Sequence, residues 1–281
     1  MNKKTIRDTD LDAKTILVRV DYNVPYHPGT TAISDVSRIR ASLPTINYLI
    51  QRKCKIVLVS HMGRPKGSVV ESLSLKPVAD CLSQMLGQPV LQMKRSLGAE
   101  VRKAVRKLPA GGVIMLENIR FIAGEEENHP RVAEELAALV DIFVNDAFGA
   151  AHRAHASTEG VAHRLPAVAG FLMEREIAML STIFRSPKRP FTAIVGGAKI
   201  SEKSAVVENL AKKVDAIIIG GGMVATFLKG KGLAIGNSLV EDERVEAAKL
   251  FMKELAKTGP ILLLPKDVVI ADSFEEHANS A

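Results

Sequence analysis

Three arginines stand at equivalent places in this chain, each a few residues after a short apolar run. Arg64 follows Ile56–Val59 in "KIVLVSHMGRPKG", Arg120 follows Val113–Leu116 in "LENIRF", and Arg153 follows Ile142–Val144 in "NDAFGAAHRAH". His61, His152 and His155 accompany them, and the run Ile16–Val20 leads into Asp21 and Asn23 in "DYNVP". Guanidinium groups gathered without matching carboxylates repel one another, and an anionic ligand would offset that cost. Arginine suits the task because its planar fork holds a carboxylate or phosphate through two parallel hydrogen bonds. The competing reading gives each arginine an ordinary surface ion pair. Among the histidines, His61 is the one expected to touch ligand, and His152 and His155 read as hydrogen-bonding members of their loop. Their spacing of three is compatible with two metal ligands on a helix, but no third ligand is evident and Arg153 between them would repel the ion, which argues against zinc.

A second set of cations lies further on. "VGGAKISEK" places Gly196 and Gly197 after the run Thr192–Val195, then Lys199, then Lys203 in the first turn of an expected helix. Backbone N–H groups at a helix start favour anions, and two lysines there oppose the helix dipole unless an anion binds; Glu202 relieves part of this. The stretch therefore reads as a phosphate seat, with two solvated lysines beside a tight turn as the alternative. No G-x-x-x-x-G-K-[ST] sequence occurs, so it is not a P-loop. The following turn, "IIIGGGMVATFL", satisfies G-x-G-x-x-A through Gly220, Gly222 and Ala225, with Glu241 about where a ribose-binding acid would be sought. A dinucleotide-binding enzyme is thus a further alternative, although Glu241 opens "EDERVEAA" and reads as the solvated start of a helix.

These residues need strands that end together and helices that hold them there. The apolar runs above, with Ala216–Ile219, Ile261–Leu264 and Val268–Ala271, are mostly too short for helices, and several are rich in β-branched residues. Between them, 75–86 and 202–214 carry apolar residues on one helical face: Leu75, Val78, Ala79, Leu82 and Met85 in the first, Val207, Leu210, Ala211 and Val214 in the second. Such alternation predicts α/β architecture, parallel sheets with helices on both faces, and ligands at the carboxyl ends of the strands. A helical stretch from Leu172 to Phe184, closed by "RSPKRP", precedes the strand "FTAIV" and suggests a boundary. The expected division is an N-terminal domain over 1–170, a connecting helix over 171–185, and a second α/β domain over 186–281.

The 281 residues are 47% hydrophobic, enough for a substantial core, with 4% aromatic residues and no Trp. A net charge of +7 suits anionic metabolites, and its spread over 38 basic and 31 acidic residues argues against a polybasic arm for nucleic acid. Cys54 and Cys81 lack partners at metal-ligand spacing and read as reduced core thiols of a cytosolic protein. The basic start has no apolar stretch after it, so it is not a secretory signal. Ala216 to Leu228, the longest apolar run, is too short and too interrupted by glycine to span a membrane.

Seven motifs, "VRVDYNVP", "SHMGRP", "LENIRF", "VNDAFGAAHRAHAST", "VGGAKISEK", "IIGGGMVATFL" and "LPKDVVIA", occur in an order and spacing that resemble phosphoglycerate kinase along the whole chain. Tyr22 stands where that family usually has Phe. The resemblance implies two Rossmann-like parallel-sheet domains joined by a hinge helix. It implies reversible phosphoryl transfer from 1,3-bisphosphoglycerate to ADP, giving 3-phosphoglycerate and ATP, with Mg2+ bound to the nucleotide, in a cytoplasmic protein that is usually monomeric. Asp21, Asn23, His61, Arg64, Arg120 and Arg153 match its glycerate-binding residues. Arg38, in "SRIRASLPTI", matches an arginine that faces the transferring group. Lys199 and Lys203 match lysines that meet the nucleotide phosphates, and Gly222 lies in the turn beside the nucleotide. Lys66 falls outside the matched roles, as a solvated loop residue. By the same resemblance, Arg38 and Lys199 would flank the moving group when the domains close and exclude water.

Family members continue past "ADSFEEHANSA" with a segment around adenosine, a carboxylate for the ribose, and a late "GGGD" loop whose Asp serves the metal. The second domain is therefore expected to be incomplete in these 281 residues, with no metal ligand of its own. The expectation is some affinity for 3-phosphoglycerate with weak or absent kinase activity. A non-catalytic anion-binding protein is the alternative from another class.

Overall fold

The apolar runs in the first half of the chain become strands of one parallel sheet. The computed structural model describes residues 3–201, 203–273, 275 and 277–280. In it, β1 (Thr15–Arg19), β2 (Lys55–Val59), β3 (Val90–Gln92), β4 (Val113–Met115), β5 (Ile142–Asn145) and β6 (Ala167–Ala169) lie in the order β3-β4-β2-β1-β5-β6. All five pairings are parallel. The connections carry α1 (Ser37–Gln51), α2 (Lys76–Leu86), α3 (Ala99–Lys107) and α4 (Pro130–Ala137), and α5 (Phe171–Arg185) follows β6. Proline in the first turn starts α2, and Gly87, at φ +66°, ends it.

Successive side chains of a strand point to opposite faces. Ile16 and Val18 of β1 and Ile56 and Leu58 of β2 therefore pack with Ile39, Ile46 and Leu49 of α1 and Val78 and Leu82 of α2. Leu17, Val57, Ile114 and Phe143 pack the other way, with Val101 and Val105 of α3 and Val132 and Leu136 of α4. Helices on both faces are what make the strands continuously apolar. By the same parity Arg19, the last residue of β1, shares the face of Leu17, and it is 1% exposed.

Contacts divide the chain into two units after Ser181, a position inside α5. In the second unit β7 (Thr192–Gly196), β8 (Ala216–Gly220) and β9 (Ile261–Leu263) form a parallel sheet in the order β7-β8-β9. The connections are α6 (Ser204–Ala211), α7 (Val224–Gly230) and α8 (Val245–Thr258). Ala193, Val195, Ile217 and Ile219 are buried with Val207, Phe227 and Ala248 of these helices. On the opposite face Ile194, Ile261 and Leu263 are 77%, 66% and 45% exposed. The expected helices on both faces are thus present for the first sheet, whereas the described residues cover one face of the second.

Several local expectations change. Val268–Ala271 is not a strand: only Ala271 pairs, in an isolated bridge with Ser280, and Val268, Val269 and Ile270 are exposed. β3 and β6 gave no apolar signal, because three-residue edge strands need little apolar surface. The helix expected over 202–214 is the shorter α6, which leaves Lys203 just before it rather than in its first turn. Cys54 is buried, its thiol pushed up to about 11 by desolvation, but Cys81 is only partly buried; both are free.

Candidate active site

Because β4, β2, β1 and β5 are neighbours, the loops at their carboxyl ends meet. Asn118, fully buried after β4, builds one side of the meeting point. Its Oδ1 accepts from the backbone N–H of Met62 and of Arg120, both at 3.1 Å. Its Nδ2 donates to the carbonyls of Met62 at 2.7 Å and Leu73 at 3.0 Å. A polar side chain satisfied on every side rigidifies what it joins, and here it locks "HMGR" to "ENIR". Asn23 ties in the β1 loop, accepting from the Gly63 N–H at 2.9 Å. Gly63 has φ +61°, and a Cβ there would lie 2.8 Å from Leu73.

Arg120 is buried and donates to the Gly63 carbonyl at 2.7 Å, with its Nε 3.1 Å from Glu126. Burial lowers its pKa, and Arg153 and Arg64 act in the same direction, which places the three guanidinium groups in one field. Arg64 is exposed and, among the described residues, ion-pairs with no carboxylate; Arg153 donates from Nε to His152 at 3.2 Å. His61 is 6% exposed. Desolvation, then Arg19, Arg120 and Arg153, push its pKa down to about 2, so it is a neutral group at this strand end and not one of the cations. The expectation of arginines without carboxylates is corrected in part: Glu126 pairs with Arg120 and Asp21 with Arg38, whereas Arg64 and Arg153 ion-pair with no carboxylate among the described residues. Lys66 is exposed beside this loop.

Arg38 arrives from a helix start, which a survey of strand ends does not find. Asp35 accepts from the Ser37 N–H at 2.8 Å and from its hydroxyl at 2.9 Å, opening α1. A cation in the first turn opposes the helix dipole, and Asp21 offsets this at 2.7 Å from the Arg38 guanidinium. The pair borders a cavity of about 450 Å³ whose lining includes Asp146, Gly149, Arg175 and Glu176. Asp146 is fully buried: Oδ1 accepts from Leu172 and Met173 N–H at 2.9 and 3.3 Å, capping α5, and Oδ2 has no partner. Burial raises its pKa against hydrogen bonding from the Thr45 side chain and these two N–H groups. The Tyr22 hydroxyl lies 2.6 Å from Ser42, so the ring that replaces Phe has its polar tip satisfied in the core.

In the second unit the turns after β7 and β8 abut. Gly196 pairs with Gly220, and the Met223 N–H donates to the Gly197 carbonyl at 2.9 Å. Gly221, at φ +69°, would put a Cβ 3.0 Å from the Gly197 nitrogen, and Gly222 would put one 3.3 Å from the Ala198 carbonyl. Lys199 beside them is exposed and Lys203 partly buried, neither ion-paired among the described residues; Glu202, expected to relieve their charge, lies outside those residues. Glu241 is not the solvated helix start expected of it. It is 9% exposed. It accepts from Ile200 N–H at 2.5 Å, Ser201 N–H at 3.1 Å and the Ser201 hydroxyl, the last being the main cause that lowers its pKa. Glu241 therefore anchors the Lys199 loop, and those bonds occupy the carboxylate proposed for a ribose in the dinucleotide reading.

Among the described residues no three His, Cys, Asp or Glu side chains lie together as metal ligands, and no helix is long and apolar enough to cross a membrane. Parallel α/β units with cations and glycine turns at their strand ends place the chain in the class of phosphate-handling α/β proteins. Comparison with known proteins narrows this. The profile of the family "Phosphoglycerate kinase" matches residues 6–281. Phosphoglycerate kinase of Herpetosiphon aurantiacus is 54% identical over 280 residues, which cover 100% of this chain and 71% of that protein. The structure of phosphoglycerate kinase from Coxiella burnetii matches with a TM-score of 0.82 and 39% identity, over 100% of this chain and 70% of that one. That from Pyrococcus horikoshii OT3 matches at 0.80 and 31%, over 95% and 68%. The chain belongs to the phosphoglycerate kinase family, nucleotide-dependent kinases that act on phosphoglycerate.

Proposed function

We propose that the first unit binds 3-phosphoglycerate or 1,3-bisphosphoglycerate and that the second meets the phosphates of ADP or ATP, for reversible phosphoryl transfer between them. The observation that carries this reading is the gathering of Arg64, Arg120, Arg153 and the buried His61 at the carboxyl ends of neighbouring strands, where Arg120 donates to the carbonyl of Gly63, between His61 and Arg64 in the chain. In it, Arg64, Arg120, Arg153 and His61 hold the glycerate phosphate, Asp21 and Asn23 orient the glycerate, and Arg38 faces the transferring group. Lys199, Lys203 and the turn at Gly222 receive the nucleotide phosphates. Phosphoryl transfer asks little covalent help of a protein; it needs charge on the moving oxygens neutralised, and Arg38 and Lys199 supply that charge. By the family resemblance, Mg2+ enters as the counter-ion of the nucleotide phosphates, a role that suits its preference for phosphate oxygens over an all-protein cage. The two free cysteines suit a reducing, cytoplasmic setting.

For the 281-residue polypeptide the expected result is 3-phosphoglycerate binding with weak turnover, since the described residues leave one apolar face of the second unit's sheet exposed at Ile194, Ile261 and Leu263. Calorimetric titration with 3-phosphoglycerate and with MgADP separately, beside a coupled kinase assay, tests this. Absence of 3-phosphoglycerate binding refutes the glycerate site. Full turnover refutes the expected weak activity, and glycerate binding with no nucleotide binding favours a non-catalytic anion-binding protein.

A further inference from the structure

Arg19 is a charged residue at the end of an otherwise apolar strand, and it has no part in the ligand contacts proposed for the site. Parity turns it into the face packed by α3 and α4, where it is 1% exposed. Its hydrogen bonds are directional. Nε donates to the Ser157 hydroxyl at 3.0 Å, one terminal nitrogen to the Val20 carbonyl at 2.5 Å, and the other lies 3.1 Å from His61 Nδ1. Ser157 is itself fixed by the buried Glu125, donating its hydroxyl at 2.6 Å and its N–H at 3.0 Å. Glu125 thus orients Ser157, Ser157 orients Arg19, and Arg19 reaches the buried imidazole of the glycerate site.

A guanidinium has five donors and no acceptor. The ring nitrogen it meets must therefore be the acceptor, because the opposite tautomer would set two N–H groups against each other at 3.1 Å. The remaining nitrogen, Nε2, has no hydrogen-bond partner among the described residues. We infer that Arg19 is a positioning residue that holds His61 as the Nε2–H tautomer, a fixed neutral donor to the bound glycerate anion. The inference rests on the reading of His61 as a glycerate ligand. Arg19 from β1, Arg120 from the turn after β4, and Arg153 and His155 from the loop after β5 all oppose protonation of the ring. Glu125, the nearby carboxylate, is engaged by Ser157. A neutral donor already aimed at the anion binds it without adding a charge to a crowded cationic rim and without reorganising.

Long-range proton–nitrogen NMR of the full chain labelled at histidine reads the tautomer directly. The expected signature for His61 is a bare Nδ1 and a protonated Nε2, unchanged from about pH 5.5 to 8. A protonated Nδ1, or titration to imidazolium in that range, overturns the inference. Arg19→Lys, which keeps a donor, should retain the signature, whereas Arg19→Met should give mixed tautomers and a pH-dependent affinity for 3-phosphoglycerate. If Arg19→Met does not fold, His61 variants give a second test. His61→Gln, whose amide nitrogen replaces Nε2, should bind 3-phosphoglycerate about tenfold more tightly than His61→Asn, whose nitrogen replaces Nδ1. Equal loss in both overturns the donor assignment. Affinity unchanged in both removes His61 from the glycerate site whatever its tautomer, so the two failures are told apart.

Discussion

Gly170→Ala is a one-methyl change with a large expected cost. An added Cβ would overlap Asp146 Oδ1 and lie 2.5 Å from its Cγ and 2.8 Å from its Cβ. The carboxylate cannot swing away freely, because it is fully buried and its Oδ1 caps α5 through Leu172 and Met173. Overpacking of this kind costs about 1–3 kcal/mol and losing a helix cap about 0.5–2 kcal/mol, so Gly170→Ala should destabilise the first unit by about 2–4 kcal/mol. Asp146→Ala loses the cap and the Thr45 interaction but opens space instead of overpacking it, so its cost should be about 1–2 kcal/mol. In the double variant only the 2.8 Å contact with the Cβ of residue 146 remains. The two changes should therefore be non-additive by at least about 1 kcal/mol in the favourable direction. The assay is built into the chain: Trp is absent and all three tyrosines, Tyr22, Tyr26 and Tyr48, belong to the first unit, so tyrosine fluorescence in a urea titration follows that unit alone. Additivity within about 0.5 kcal/mol, or a neutral Gly170→Ala, would refute the reasoning.

Three further outcomes are expected. Acidification should weaken the first unit through His61: below about pH 6.5 the unfolded ring takes a proton that the folded ring, held near a pKa of about 2, refuses. The stability advantage of the native protein over His61→Gln should therefore shrink by roughly 1.5 kcal/mol between about pH 6.5 and 5, and parallel stability profiles would contradict it. Arg38→Ala frees Asp21 from its ion pair, a half-exposed contact whose loss should cost about 1 kcal/mol, so the unit should still fold; in the coupled assay turnover should fall at least about a hundredfold. Glu241→Ala releases Ile200 and Ser201 and should raise the dissociation constant of MgADP on the order of tenfold, leaving 3-phosphoglycerate affinity untouched; equal loss for both ligands in calorimetry would count against a loop-specific role.

What could be read from the sequence and what could not divide along one physical line. Strands buried on both faces must be apolar throughout, so β1, β2, β4 and β5 announced themselves, and polar residues after each one marked the edge where a ligand is expected. Arg64, Arg120 and Arg153 were singled out in this way. Arg38 was not, because it stands at a helix start, and the Asp21 that stabilises it there lies 17 residues earlier in the chain. Glu241 looked like a solvated acid because its partner Ser201 is distant in sequence: burial of a charge depends on a tertiary contact that composition does not reveal. Val268–Ala271 errs in the opposite sense, an apolar run that pairs with no neighbouring strand among the described residues.

Arg19 lies between these cases. Its partner Ser157 is 138 residues away, which no local pattern predicts, yet the strand itself carried a signal. Leu17 and Arg19 share a parity, and a charge on the buried face of a strand with helices on both sides cannot be solvated. Such a charge must be paired inside the protein, and at the last position of a strand the interior it enters is the floor of the ligand edge. The residues after a strand thus indicate what touches the ligand, and a charged residue at its inward-facing end indicates what holds those residues in place. In this chain the second rule leads from Arg19 to His61, a buried ring with one nitrogen left to donate.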